Sequence, residues 1–277
     1  MDWEQPSGVN NKKRTSLVRL VVLSDTHGFH HQLTPVLPPG DILLHCGDFA
    51  NKGSIDDATD FVKWVSSLQQ YPEKYIIDGN HDRTLMVGER AKNSNNDKST
   101  STRLDLKEIF AKAHDSVRLL QDETITTQHG LTIHGSSWNS CEVDSYTNLS
   151  TTVNVWMVHR PPRLDRTNSK KVFPKPRHTP HHFSYGWNGS RAITRTVQTY
   201  RIPLCLSGHV HMSRGMLKLL EDHDPRSIFI NAASCWSDHE QGTSGVSTPV
   251  VIDFHLETKK VWVVQFDPHP SSWRQEK

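Results

Sequence analysis

Apolar runs of strand length recur along the chain: LVRLVVLS (17–24), DILLHCG (41–47), KYIID (74–78), LTIHG (131–135), VNVWMV (153–158) and PLCLSG (203–208). Their apolar character is nearly continuous instead of alternating, which predicts strands covered on both faces. Between the second and third runs, SIDDATDFVKWVSSLQQ sets Ile55, Ala58, Phe61, Val62, Val65 and Leu68 at helical spacing, and Ser54 with Asp57 has the form of a capping box. This passage reads as β-α-β. Further helices are predicted over Leu104 to Ala113 and Ser190 to Tyr200. The chain then turns β-rich, with SIFIN (227–231), PVVIDFHL (249–256) and KVWVVQF (260–266), the last two forming a hairpin around Glu257 to Lys259. The pattern predicts a layered α/β sandwich.

The polar stretches divide the chain. Residues 1–16 read as a flexible arm, 17–268 as a single domain, and 269–277 as a tail. Two segments read as polar insertions: 89–103, almost without apolar residues, and 160–189, rich in Pro, Arg, Lys and His and too polar to add to the core. No run approaches the roughly 18 apolar residues of a membrane span, and the first residues lack the apolar segment of a secretory signal, so a cytoplasmic location without membrane contact is expected. Cys46, Cys141, Cys205 and Cys235 are widely spaced with no CxxC pair, which fits a reducing compartment. With 32 basic and 30 acidic residues, the net charge of +2 lacks the field of a dedicated nucleic-acid binder.

Composition changes the picture in one respect, its 18 histidines. Imidazole is the commonest transition-metal ligand, so position must separate ligands from packing residues. Five apolar runs end on groups that bind metal: Asp25 and His27; Asp48 after Gly47; Asn80, His81 and Asp82 after Gly79; His159; and His209 and His211 in GHVH. Ligands of open α/β sheets bind beyond the carboxyl ends of the strands, so these groups are expected to converge. Two imidazoles alternating on an extended segment point to opposite sides, which suits two neighbouring ions better than one. His30 and His31 fall outside the pattern and are expected at the rim or surface; His45 is expected to be a buried, hydrogen-bonded strand residue.

The ordered set DTH, GD, GNHD, H and GHVH resembles the calcineurin-like metallophosphoesterase superfamily over residues 19 to about 235. GDILLHCGDFA, GNHD, HGSSW, VHRPP and FINAAS are similar to the small MPPED-type metallophosphoesterase-domain proteins. The resemblance implies a four-layer α/β/β/α sandwich of two mixed sheets flanked by helices, with two metal ions at its edge. It assigns Asp25, His27 and His211 to the first ion and Asn80, His159 and His209 to the second, with Asp48 bridging them. Oxygen and imidazole donors without thiolate favour Mn, Fe or Zn. The resemblance also places His81 at the leaving-group oxygen of a phosphoester. Asp82 either orients the His81 ring or caps a turn. Where relatives often carry Gly, this chain has Arg160, which either reaches a substrate phosphate or solvates its loop. Trp138 either lines the pocket or packs. The basic and aromatic residues of 160–189 form either a solvated loop or a substrate lid.

Two cations about 3.5–4 Å apart clamp a phosphoester and lower the pKa of a bridging water, making hydroxide available at neutral pH. The reading is therefore a dinuclear phosphoesterase for small phosphodiesters, with cyclic nucleotides as the subgroup-based choice. A phosphomonoesterase acting on nucleotides or phosphoproteins is the alternative. A nuclease, which would draw on the basic segment 160–189, is not favoured, and a non-catalytic binding scaffold ranks lower because its expected mark, a lost metal ligand or a missing His81, is not present.

Overall fold

The computed structural model describes residues 16–51, 53–82, 85–86, 103–142, 149, 152–163, 169–173, 189–219, 227–238 and 243–267. Most of the expected arm, of the two insertions and of the tail lies outside these residues. In chain order the strands are β1 (Leu17–Leu23), β2 (Ile42–His45), β3 (Glu73–Ile76), β4 (Leu85–Met86), β5 (Arg103–Leu104), β6 (Val117–Leu119), β7 (Glu123–Thr126), β8 (Thr132–Gly135), β9 (Val155–Met157), β10 (Ser169–Phe173), β11 (Leu204–Ser207), β12 (Gly215–Leu219), β13 (Ile228–Asn231), β14 (Cys235–Asp238), β15 (Thr243–Val246), β16 (Val250–His255) and β17 (Val261–Gln265). The α-helices are α1 (Ile55–Ser67), α2 (Leu106–Phe110) and α3 (Arg191–Tyr200).

Two mixed sheets dominate. One has the order β17-β16-β1-β2-β3-β6 and the other β10-β12-β13-β11-β9-β8-β7. The parallel centre of the first is registered by Leu20 opposite Ile42 and by Leu44 opposite Tyr75; that of the second by Leu204 opposite both Val155 and Ile228. The continuous apolar runs now have a cause. Val18, Leu20 and Val22 of β1 and Ile42 and Leu44 of β2 meet Val155, Met157, Leu204 and Leu206 between the sheets. The alternate residues Val21, Leu23 and Leu43 face Phe61, Val62 and Val65 of α1 and Ile109 of α2. On the far side, Trp156 and Cys205 pack with Ile193 and Val197 of α3. Helix, sheet, sheet and helix make the four expected layers.

The helices begin where their caps dictate. Ser54 accepts the amide of Asp57 at 3.2 Å, and Asp56 and Asp57 complement the positive end of α1. Ser190 opens α3, which ends at Arg201 in a left-handed conformation. The second helix is shorter than its apolar pattern predicts: Leu104 belongs to β5, paired with β4, and Asp105 caps α2 through the amide of Lys107. Four strands of the main sheets, β6, β7, β10 and β12, lack the continuous apolar signature. In β7 only Ile125 is buried, as expected of an edge strand with one wet face.

β10 lies within residues 160–189. Part of that segment joins the second sheet as its edge, antiparallel to β12, because backbone pairing does not require an apolar sequence. The neck of the segment is closed by main-chain bonds from Arg163 to Ser190 and from Ser190 to Pro161, at 3.0 and 2.9 Å. Cys46, Cys205 and Cys235 are buried. Among the described residues no helix is long and apolar enough to cross a membrane.

Trp156 is fully buried, and its indole N–H donates to Ser136 Oγ at 2.9 Å. Trp156→Ala is expected to destabilise the fold by about 3–5 kcal/mol through lost contacts and a residual cavity, measured as a shifted midpoint in urea unfolding.

Candidate metal centre

The loops that follow β1, β2, β3, β9 and β11 meet at one edge of the sandwich. Main-chain bonds first fasten two of them together: Asp25 N–H to Gly47 O at 2.8 Å, His27 N–H to Asp48 O at 3.0 Å and Gly28 N–H to Phe49 O at 2.9 Å. Asp82 fastens the third. Its Oδ2 accepts the amides of Asp48 and Gly79 at 2.7 and 2.8 Å, and its Oδ1 accepts that of Ala50 at 2.9 Å. The carboxylate of Asp82 thus takes the turn-cap place, one of its two readings. The His81 amide in turn donates to Asp48 Oδ1 at 2.8 Å.

This frame brings all seven expected donors together in two groups. In the first, His211 Nε2 lies 3.1 Å from Asp25 Oδ1 and 3.2 Å from His27 Nε2. In the second, Asn80 Oδ1 lies 2.8 Å from His209 Nδ1 and 3.2 Å from His159 Nε2. Asp48 Oδ2 stands between them, 3.2 Å from His159 Nε2 and 3.9 Å from His27 Nε2. Asp25, His27 and His211 present ligand atoms within 4.8 Å of one another, as do Asp48, His159 and His209. A third grouping with the same property, His27, Asp48 and His81, puts the His81 ring at the cluster edge, 4.8 Å from the His27 ring between centroids.

The residues fit divalent metal. Two imidazole nitrogens 3.2 Å apart, His27 Nε2 and His211 Nε2, suit a shared cation. His159 has its tautomer set: the Cys46 carbonyl, 2.6 Å from Nδ1, can only accept, so Nδ1 carries the proton and Nε2 faces the cluster. Charge points the same way. Burial pulls the His159 pKa down, but Asp48 and Asp25 outweigh it and hold it at about 10. Burial likewise opposes ionisation of Asp25, yet His159 and His211 hold its carboxyl well below the usual range. Burial lowers His27, and it lowers His209 to about 4, so both rings are neutral at pH 7, the form that ligates metal. The buried carboxylates demand positive charge, and a divalent ion would compete with the His159 proton for that place.

Holding these donors requires strained backbone. Asp25, His27, Asp48 and His209 have φ of 53°, 43°, 56° and 67° and make up four of the seven non-glycine residues with positive φ among the described residues. Glycines precede three donors because no side chain fits there. A Cβ on Gly79 would sit 2.2 Å from Asp48 Oδ1, and one on Gly208 would sit 1.9 Å from Ser24 Oγ and 2.1 Å from Asp25 Oδ2.

Trp138 is buried behind the second group, its ring 5.4 Å from that of His159 and 5.0 Å from that of His209, with the Arg160 guanidinium 5.8 Å over it. Trp138 therefore packs against candidate ligands, and Arg160 lies at the rim beside them. His45 is buried and bonded to Thr26 Oγ1 at 3.0 Å, as expected of it. The sequence reading missed two supporting groups. Ser24 donates to Asp25 Oδ2 at 2.6 Å, and its place before the DTH motif is the only signal for it; the Cys46 carbonyl gives none.

A four-layer sandwich with carboxylate, amide and imidazole donors at the strand ends defines a metal-binding hydrolase fold. The sequence matches the family described as calcineurin-like phosphoesterase over residues 18–213. The chain belongs to this family, whose members are phosphoric ester hydrolases. It is 28% identical to UPF0046 protein K07C11.7 of Caenorhabditis elegans over 265 residues, 88% of this chain and 77% of that protein. It is 26% identical to metallophosphoesterase domain-containing protein 1 of Homo sapiens over 263 residues, 87% of this chain and 72% of that protein. One crystal structure superposes with a TM-score of 0.54 at 13% identity, covering 91% of this chain and 100% of its own, a likeness of fold alone.

Gly208→Ala forces a methyl group onto Asp25 and Ser24. The variant is expected to keep its far-ultraviolet circular dichroism while its affinity for Mn2+ or Zn2+ falls about 10- to 100-fold, read by titration against a chelating dye.

Proposed function

We propose that the chain hydrolyses small phosphodiesters, using two metal ions of the Mn, Fe or Zn type. The observation that carries this reading is the position of Asp48 Oδ2 between two donor groups, one of Asp25, His27 and His211 and the other of Asn80, His159 and His209. When bound, two ions supply charge neutralisation and water activation for in-line attack on phosphorus. The chain's own residues do the rest. Asp48 sets the separation of the two groups. His159, fixed through Nδ1 by the Cys46 carbonyl, keeps Nε2 directed at the cluster. The ring of His81, beside the donors but assigned to neither group, protonates the leaving oxygen. Arg160, laid on Trp138, offers its fork of N–H donors to the phosphate oxygens that remain. Cyclic nucleotides are the first diesters to try, on the strength of the family resemblance; phosphomonoesters are the alternative within the same chemistry.

Hydrolysis of an aryl phosphodiester and of the matching monoester, each with and without chelator, tests the class and the preference together. Activity is expected on the diester and is expected to vanish with chelator; a faster monoester reaction would reverse the preference. Asp48→Asn is expected to lose metal and activity together, and full metal content by elemental analysis would contradict the bridging place of Asp48. His81→Ala is expected to retain its metal while turnover falls by about 10²- to 10⁴-fold. Loss of metal in that variant would make His81 a ligand instead.

A further inference from the structure

We propose that His30, His31 and Asp60 form a separate binding site for a divalent transition metal of the zinc type, outside the candidate centre. The Nε2 atoms of His30 and His31 converge on one oxygen, Asp60 Oδ2, at 3.1 and 2.8 Å. The three ligand atoms lie within 4.8 Å of one another, and none of the three residues belongs to the cluster described above. Two imidazoles and a carboxylate are a zinc donor set that leaves further positions for water. Nitrogen donors of this kind disfavour Mg2+ and Ca2+, which take oxygen ligands.

The geometry is partly preorganised. Contrary to the surface role expected of it, His30 is fully buried, its ring edge-on to Phe61 at 5.4 Å and tilted against Trp64 at 5.0 Å. One donor is thus fixed by packing. The side chains of His31 and Asp60 are 59% and 53% exposed and can adjust. Tetrahedral bonds of about 2.0–2.1 Å place neighbouring ligand atoms about 3.3–3.4 Å apart. The His30 to Asp60 distance already approaches that, and His31 needs to retreat by about half an ångström from its hydrogen-bonded position. Burial also lowers the His30 pKa to about 4, leaving the neutral ring that a metal binds.

The site has a structural consequence. His30 and His31 open the 3-10 helix His30–Val36, which directly follows the segment carrying Asp25 and His27, whereas Asp60 lies on α1. The indole of Trp64 on α1 already holds this helix through Thr34 Oγ1 at 2.9 Å. A bound ion adds a second tie between the same two elements.

The test compares untagged wild type with His31→Ala/Asp60→Asn, two changes at exposed side chains. Both proteins are equilibrated with Zn2+, freed of excess by gel filtration and analysed for zinc by elemental mass spectrometry. The double variant is expected to hold one equivalent fewer per chain, with hydrolysis of the aryl diester unchanged. Equal zinc content would overturn the proposal. The same pair of changes made in the Asp48→Asn background is expected to remove the same equivalent. The readout is a difference, so it stands or falls independently of how many ions the centre holds; should Asp48→Asn not fold, the wild-type pair decides alone.

Discussion

One buried carboxylate sets the geometry on which the candidate centre depends. Asp82 gathers the amides of Asp48, Ala50 and Gly79 from the turns after β2 and β3. All three donors are main-chain N–H groups, and burial together with the neighbouring charge of Asp48 pushes the Asp82 pKa well above the usual carboxylate range. Their convergence dictates how the two turns lie against each other. Asp48 can then hold its left-handed conformation, with Oδ1 bonded to the His81 amide and Oδ2 turned to both donor groups.

The same loops carry conformations that L-residues otherwise avoid. Left-handed backbone at four donors costs about 1–3 kcal/mol each, and turns alone could not sustain it. Rigid layers beneath them do. β1, β2, β3, β9 and β11 are packed on both faces, so the points at which the loops leave the sheets are fixed by side chains deep in the sandwich. Close approaches at Gly79 and Gly208 then leave the donors little freedom.

The hydrophobic pattern makes legible those parts of the fold where two faces are buried. β1, β2, β9 and β11 read as continuous apolar runs, and α1 reads through its spaced apolar residues and its Ser54 cap. The edge strands β6, β7 and β10 escape such reading, whereas the edge strand β17 does not. β7 buries one residue of four, and β10 lies in a segment whose composition argues against a strand, because its pairing with β12 is a property of the backbone. The donors were legible because each closes an apolar run. Their orientation was not: the Cys46 carbonyl that sets the His159 tautomer has no side-chain signature, and Asp82 serves main-chain atoms that no motif names. His30 likewise gives no hint of burial, which depends on Phe61 and Trp64 half a helix away.

The candidate centre draws donors from both sheets, Asp25, Asp48 and Asn80 from beyond β1, β2 and β3, and His159 and His209 from beyond β9 and β11. A bound ion is therefore a rivet across the seam of the sandwich, and by thermodynamic reciprocity whatever slides one half against the other must alter how tightly ions are gripped. A repacked seam would be felt at the candidate centre as a change in metal affinity.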